Sequence, residues 1–294
     1  MAQQYAPATV EDGRVEIDGV EVHYLTAGSE GAAIILVHGI GLDSAKLSWE
    51  HTIPALSDTY HVFAPDLPGH GESDTPTAPY SIAYYADVIE RFMDALNIDH
   101  ATLVGQGIGG RIALECVLRD ETRVDRLVLV DPIGLTDDVP GGRTALLGTV
   151  PGIQRLRYRL LGRSRRLTAA SLRRLSGTTE WVTPEFVDDV RAAARRPGAE
   201  RVLKRFRRRE LGPRGFRTSV ENRLTDVSVP TLLIHGRHDS IVPVTSTIRA
   251  RSLLPDAELR IVDCGHWPPR EWPEEFSQIL GEYLAATADV ERPA

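Results

Sequence analysis

The chain has 294 residues, 42% hydrophobic and 26% charged, which is enough apolar material for a sizeable core and excludes a disordered chain. Its cysteines, Cys116 and Cys264, lie far apart and outside any CxxC or Cys/His cluster, so both read as small buried residues rather than as a disulfide or a zinc site. The net charge of -7 is unevenly spread: residues 151–217 hold nineteen Arg and Lys against six acids, and the acidic remainder speaks against nucleic-acid binding.

The opening residues, MAQQYAPATVEDG, show no charged segment followed by an apolar one, and no apolar run approaches the roughly 18 residues of a membrane span. The expectation is a soluble, cytoplasmic protein without membrane association. Short apolar runs bounded by turn residues predict strands at Val20 to Ala27, Ala33 to Val37, His61 to Pro65, Ala101 to Val104, Leu127 to Val130, Thr231 to Ile234 and Glu258 to Val262. Helical spacing between them predicts helices at Ile82 to Leu96, Gly109 to Arg119, Val244 to Leu254 and Pro273 to Ala286. This alternation gives the class α/β with a mostly parallel sheet.

The alternation stops after Val130 and resumes near Val227, and the stretch between carries helical patterns without a convincing strand. Ile153, Leu156, Leu160 and Leu161 form one apolar stripe there, and Val202, Leu203 and Phe206 another. Thr183 followed by Pro184 reads as an N-cap and a first-turn proline. The division expected is a core in two parts, residues 1–134 and 227–294, interrupted by a helical lid over residues 135–226.

Ligands of an open parallel sheet collect outside the carboxyl ends of its strands, so the loops that follow them carry the chemistry. Those loops hold His38-Gly39-Ile40-Gly41, then Gly105-Gln106-Gly107-Ile108-Gly109-Gly110 running into a helix, then Gly236-Arg237-His238-Asp239, and last Asp263-Cys264-Gly265-His266-Trp267. A carboxylate that accepts a proton from one imidazole nitrogen fixes the tautomer and leaves the other nitrogen free to take a proton, so Asp239 with His266 is a candidate general base.

With these loops and the segment FAPDLPGHGESD, Phe63 to Asp74, the chain resembles the α/β-hydrolase superfamily from about Val15 to Leu284, in its lidded esterase and C-C bond hydrolase branch. The resemblance implies an eight-strand-type sheet, His266 as base, Asp239 as acid, and the backbone N–H groups of Ile40 and Ile108 as an oxyanion hole. It implies a small carbonyl substrate such as an ester, lactone or diketone-like compound, with no cofactor and no metal.

The departure is Gly107, which stands where the family's G-x-S-x-G elbow places the nucleophile and which offers no side chain. Three outcomes stay open: His266 activates water, His266 takes a proton from the substrate in lyase, cyclase or cofactor-free oxygenase chemistry, or the protein only binds. A remoter reading takes Gly105, Gly107 and Gly110, with Asp125 or Asp131 about twenty residues on, as a GxGxxG fingerprint for NAD(P). Asp131 also ends a strand and is an alternative acid to Asp239. His38, His70 and His238 are assigned no chemistry, and Ser44 and Ser73 read as turn residues. The arginine-rich lid reads first as a solvated face; the sharper reading is attraction of an anionic substrate or an anionic membrane surface.

Overall fold

The computed structural model describes residues 9–136, 152–175, 179–212 and 215–287. An antiparallel hairpin comes first: β1 (Glu11–Ile17) pairs with β2 (Val20–Ala27) across Asp18 and Gly19, both at positive φ. β3 (Ala33–Val37) leads through the short helices α1 (Ala45–Trp49) and α2 (Thr52–Leu56) to β4 (His61–Pro65). Next come α3 (Ile82–Ala95), β5 (Ala101–Gln106), α4 (Ile108–Arg119) and β6 (Val124–Val130). Helices α5 (Ile153–Arg163), α6 (Arg165–Arg173), α7 (Pro184–Arg195) and α8 (Ala199–Glu210) follow, and then a small ribbon of β7 (Leu211–Gly212) with β8 (Gly215–Phe216). The sheet resumes with β9 (Thr231–Gly236), α9 (Val244–Leu253) and β10 (Ala257–Val262), and α10 (Pro268–Glu271) and α11 (Pro273–Ala286) follow.

All seven expected strands lie within observed ones. Three strands are additional: β1, polar and largely exposed, carries little of the apolar signal that marks the rest, and β7 and β8, two residues each, are too short to show a pattern in a stretch expected to be without strands. The eight-stranded sheet has the order β1-β2-β4-β3-β5-β6-β9-β10, antiparallel at β1/β2 and β2/β4 and parallel elsewhere. Successive strand residues serve opposite faces. Ile35 and Val37 pack with α3 and α4 residues such as Phe92 and Ile112, whereas Ile34 and Leu36 pack with Trp49, Ile53, Phe276 and Leu280 from α1, α2 and α11. Each such fully buried side chain contributes about 1.5–3 kcal/mol. This two-sided core fixes the ends of β3, β5, β6, β9 and β10, and with them the loops that carry the candidate chemistry.

Between β6 and β9 the helices obey their local signals: Thr183 caps α7 by accepting from the Phe186 N–H, Pro184 occupies its first turn, and Val202, Leu203 and Phe206 of α8 are buried. The stripe on α5 differs from the core-facing one its spacing suggests. Ile153, Leu156 and Leu160 are 43%, 55% and 45% exposed, and of that set only Leu161 is buried, in company with Gln154 and Tyr158 on the opposite side of the helix.

Candidate active site

Gly107 sits between the end of β5 and the start of α4 with φ 57° and ψ -115°, a backbone conformation that L side chains adopt rarely. The turn is held from outside: the Gly107 N–H donates to the Val130 carbonyl (2.8 Å) and its carbonyl accepts from the Ile133 N–H (3.0 Å). Gly105 and Gly109 are needed for close approach, because a Cβ at the first would meet the Gly109 and Gly110 backbone at 2.4 Å, and one at the second would meet the Val37 carbonyl at 2.2 Å. Of the GxGxxG glycines, Gly105 thus has a packing role, and a Cβ at Gly110 would come within 3.0 Å of the Gly105 carbonyl. Asp131, which the dinucleotide reading would turn toward a ribose, is fully buried and accepts from the Gly236 N–H (2.8 Å).

A Cβ at Gly107 would fit without a clash, in ordinary van der Waals contact with His266 Nε2 and Ile133 Cδ1, the nearest atoms at 3.6 Å. The other ring nitrogen of His266, Nδ1, lies 2.7 Å from Asp239 Oδ2. Asp239 Oδ1 accepts from the Ile241 and Val242 N–H groups (2.6 and 3.0 Å), so both oxygens are engaged and the carboxylate is oriented. Burial would raise the Asp239 carboxyl, but His266 and these amides hold it below its ordinary range. Burial likewise works against the charged imidazole, yet Asp239, Asp131 and Glu271 raise His266 to about 9. The carboxylates around the ring thus favour its imidazolium form.

Asp131 is the second carboxylate near the histidine, but Oδ1 is taken by Gly236 and Oδ2 is buried without a hydrogen-bond partner. Burial and the charge of Asp239 push its carboxyl well above the ordinary range, while Asp239 is held below it. Donor atoms of Asp131, Asp239 and His266 lie within 4.8 Å of one another. Within that cluster Asp239 is engaged by the backbone and imidazole donors, and His266 is its direct partner.

Several residues that position the site lack a sequence signal of their own. Glu271 accepts from the Gly265 and Trp267 N–H groups (2.8 and 3.0 Å), and Gln106 Nε2 donates to the His266 carbonyl (2.7 Å), which together fix the histidine loop. Asp43 accepts from the Gly39 and Ser44 N–H groups and from Ser48 Oγ, which in turn accepts from Trp267 Nε1 (2.9 Å). The loop carrying Ile40 and the loop carrying His266 are therefore tied together. His38 is part of the same frame: its Nδ1 donates to the Gly39 carbonyl (2.6 Å) and its Nε2 accepts from the Leu67 N–H (3.0 Å). His70 Nε2 accepts from Gly41 N–H, and the half-exposed His238 meets Asp263 at 2.8 Å. Ser44 caps α1 and Ser73 Oγ donates to the Asp66 carbonyl, so both hydroxyls have structural roles.

A cavity of about 470 Å³ opens over this constellation, lined by Ile40, Gly107, Ile108 and His266 below and by residues of α5 to α8 and β7 to β8 around it, including Leu161, Leu172, Val190, Leu203, Phe206 and Phe216. The lining is mainly apolar, as in a small-molecule pocket. Ile108 is the first residue of α4, so its N–H has no acceptor within the helix and faces the positive end of the helix dipole. The Tyr158 hydroxyl is buried at the cavity with no hydrogen-bond partner among the described residues, and Arg157 and Arg207 also line the space. Sequence reading placed arginines on these helices but could not say which of them turn inward.

A family model for the alpha/beta hydrolase fold matches residues 32–271. A 2-hydroxymuconate semialdehyde hydrolase of Pseudomonas sp. (strain CF600) is 30% identical over 272 residues, covering 91% of this chain and 91% of the relative. A 2-hydroxy-6-oxo-2,4-heptadienoate hydrolase of Pseudomonas putida is 28% identical over 288 residues, covering 94% and 97%. Among solved structures, a meta-cleavage product hydrolase variant from Pseudomonas fluorescens IP01, complexed with acetates, has a TM-score of 0.80 at 32% identity and covers 93% of this chain and 97% of its own. With the family model spanning most of its length and its sheet in the matching arrangement, the chain belongs to the alpha/beta hydrolase fold family.

Proposed function

We propose that this protein hydrolyses a small carbonyl compound, an ester, a lactone or an oxo-dienoate of the kind for which its relatives are named, with His266 as general base and water in place of a covalent nucleophile. The observation that carries the reading is the geometry around Gly107: His266 is paired to Asp239 at 2.7 Å through Nδ1, while its Nε2 faces the space above Gly107, 3.6 Å from a Cβ position, inside a cavity. A water in that space gives its proton to Nε2 as its oxygen adds to the carbonyl carbon. The carbonyl electron pair moves to oxygen, where the Ile40 and Ile108 N–H groups stabilise it. Collapse of the adduct breaks the bond to the leaving group, which takes the proton back from the imidazolium. Within the expected lid 135–226, part of which lies outside the described residues, helices α5 to α8 with β7 and β8 close the apolar space and limit access of bulk water. Tyr158 and Arg207 offer a hydroxyl and a cation to a polar or anionic end of the substrate.

A second reading, a protein that binds such compounds without turning them over, is favoured by the missing side chain at Gly107 together with the carboxylates that raise His266 and so favour its protonated form. Steady-state hydrolysis of p-nitrophenyl acetate and butyrate separates the two. The unmodified chain is expected to be a slow hydrolase, His266→Ala to lose about 10²-fold of that rate, and Gly107→Ser to gain at least about tenfold. Equal rates in the unmodified chain and His266→Ala would end the catalytic reading. If those rates equal the buffer rate while a carbonyl compound still raises the melting temperature, the binding reading replaces it.

A further inference from the structure

Helix α5 carries two unlike faces. Gln154, Tyr158 and Leu161 are buried, and Tyr158 and Leu161 line the cavity. On the other side Ile153, Leu156 and Leu160, spaced i, i+3 and i+7, stand 43%, 55% and 45% exposed, and Leu167 at the start of α6 is 47% exposed. Of the seven large apolar side chains exposed among the described residues, four therefore fall within fifteen residues of chain. Single exposed leucines need no explanation, but a stripe of this kind on one helix does.

The charge around the stripe is as distinctive as its apolarity. From Gly152 to Leu175 the chain has eight arginines and no acidic residue. At 100° per residue, Arg159 and Arg163 fall on one flank of the exposed stripe and Arg157 on the other. Among the described residues, Arg155, Arg159 and Arg163 have no carboxylate partner, whereas Arg165 is taken up by Asp188.

We propose that the α5–α6 face docks on an anionic lipid bilayer, with Ile153, Leu156, Leu160 and Leu167 entering the headgroup boundary and the flanking arginines meeting lipid phosphates. An apolar stripe between rows of cations is the pattern of an interfacial helix, and negative surface potential attracts each cation near it. A second copy of the same face is a poor occupant, because a two-fold contact would set arginine-rich surfaces against each other without an acid to pair them. A nucleic acid would neutralise the arginines and leave the leucines and isoleucine in water. Docking in this orientation leaves α5 between the bilayer and the cavity, whose wall it forms with Tyr158 and Leu161 on its other side. This reverses the expectation of no membrane association, which rested on the lack of a spanning segment. No helix among the described residues is long and apolar enough to cross a membrane, and surface docking does not require one.

The test is flotation of the full chain with vesicles of phosphatidylcholine alone and of equal parts phosphatidylcholine and phosphatidylglycerol, at low and high salt. Expected is binding to the mixed vesicles at least about tenfold tighter than to the neutral ones, weakened by salt. Leu156→Ser with Leu160→Ser should lower that binding about tenfold or more with an unchanged melting temperature, and Arg155→Gln, Arg159→Gln and Arg163→Gln together should lower it comparably. The proposal is overturned by failure of the unmodified chain to bind mixed vesicles at low salt, or by binding that the leucine substitutions leave intact. It is equally overturned if those substitutions lower the melting temperature, which means the chain itself covers the face, or if they turn a dimer into a monomer, which means a second copy does.

Discussion

The protonation state of His266 decides how Gly107 is to be understood at the level of single residues. A base must be neutral to accept a proton, and the carboxylates around His266 raise it to about 9. The active form is the deprotonated one, so hydrolysis by the unmodified chain should climb with pH through the neutral range and level off only above about pH 9. A profile that is already flat at pH 7 would remove His266 as the base. The same residues show what a sequence can reveal. His266 and Asp239 were legible because they stand in loops that follow strands, where side chains of those types have one obvious joint use. Gln106, Asp43 and Glu271 were not, because each acts by bonding a main-chain group or a neighbouring hydroxyl, and a buried carboxylate or amide that orients a loop has no periodicity. Gly107→Ser carries a stability penalty of about 1–3 kcal/mol for a side chain at φ 57°, so the more active variant should also be the less stable one.

Most elements that bury a face are legible in the sequence, and short or polar ones are not. Strands β3 to β6, β9 and β10 announce themselves as apolar runs between turn residues. Strand β1, EDGRVEI, is an exposed edge with a polar sequence, and α1 and α2 are five-residue helices too short for a helical period to register. The stripe on α5 teaches a different lesson: spacing told which residues share a face but not whether that face meets the core or the solvent. At this scale the loop from Gly39 to Ser48 is a unit held by one carboxylate. Asp43→Ala would leave the buried Gly39 and Ser44 N–H donors and the Ser48 hydroxyl without their acceptor, and chemical denaturation should find the variant about 2–4 kcal/mol less stable. A loss under about 0.5 kcal/mol would show that the loop does not depend on it.

The whole molecule inherits a pH dependence from the same buried cluster. His266 has its folded value raised from 6.5 to about 9, so its contribution to stability is fully present below about pH 6.5 and disappears as pH rises through about 9. Asp239, held below its ordinary range, contributes above that range and loses its effect in acid. Unfolding free energies from urea titration should therefore fall between pH 6.5 and pH 9.5, by on the order of 3 kcal/mol at most, and His266→Gln should flatten that limb. An unmodified chain equally stable at both values would contradict the ionised pair. Charge is divided on the same scale, with an acidic body and nineteen Arg and Lys gathered in residues 151–217. That division was plain in the sequence; its orientation toward both the cavity and the outer face of α5 required the fold.

The turn at Gly107 has one more consequence. Its backbone is gripped by Val130 and Ile133, and the gap between strand and helix is set by Gly105 and Gly109, so its shape is held by main-chain contacts rather than by a side chain at residue 107. The scaffold keeps a stereochemical address for a nucleophile whether or not the chain supplies one. Methanol or hydroxylamine from solution is small enough to take that address beside His266, which makes the identity of the attacking group a property of the medium as much as of the sequence.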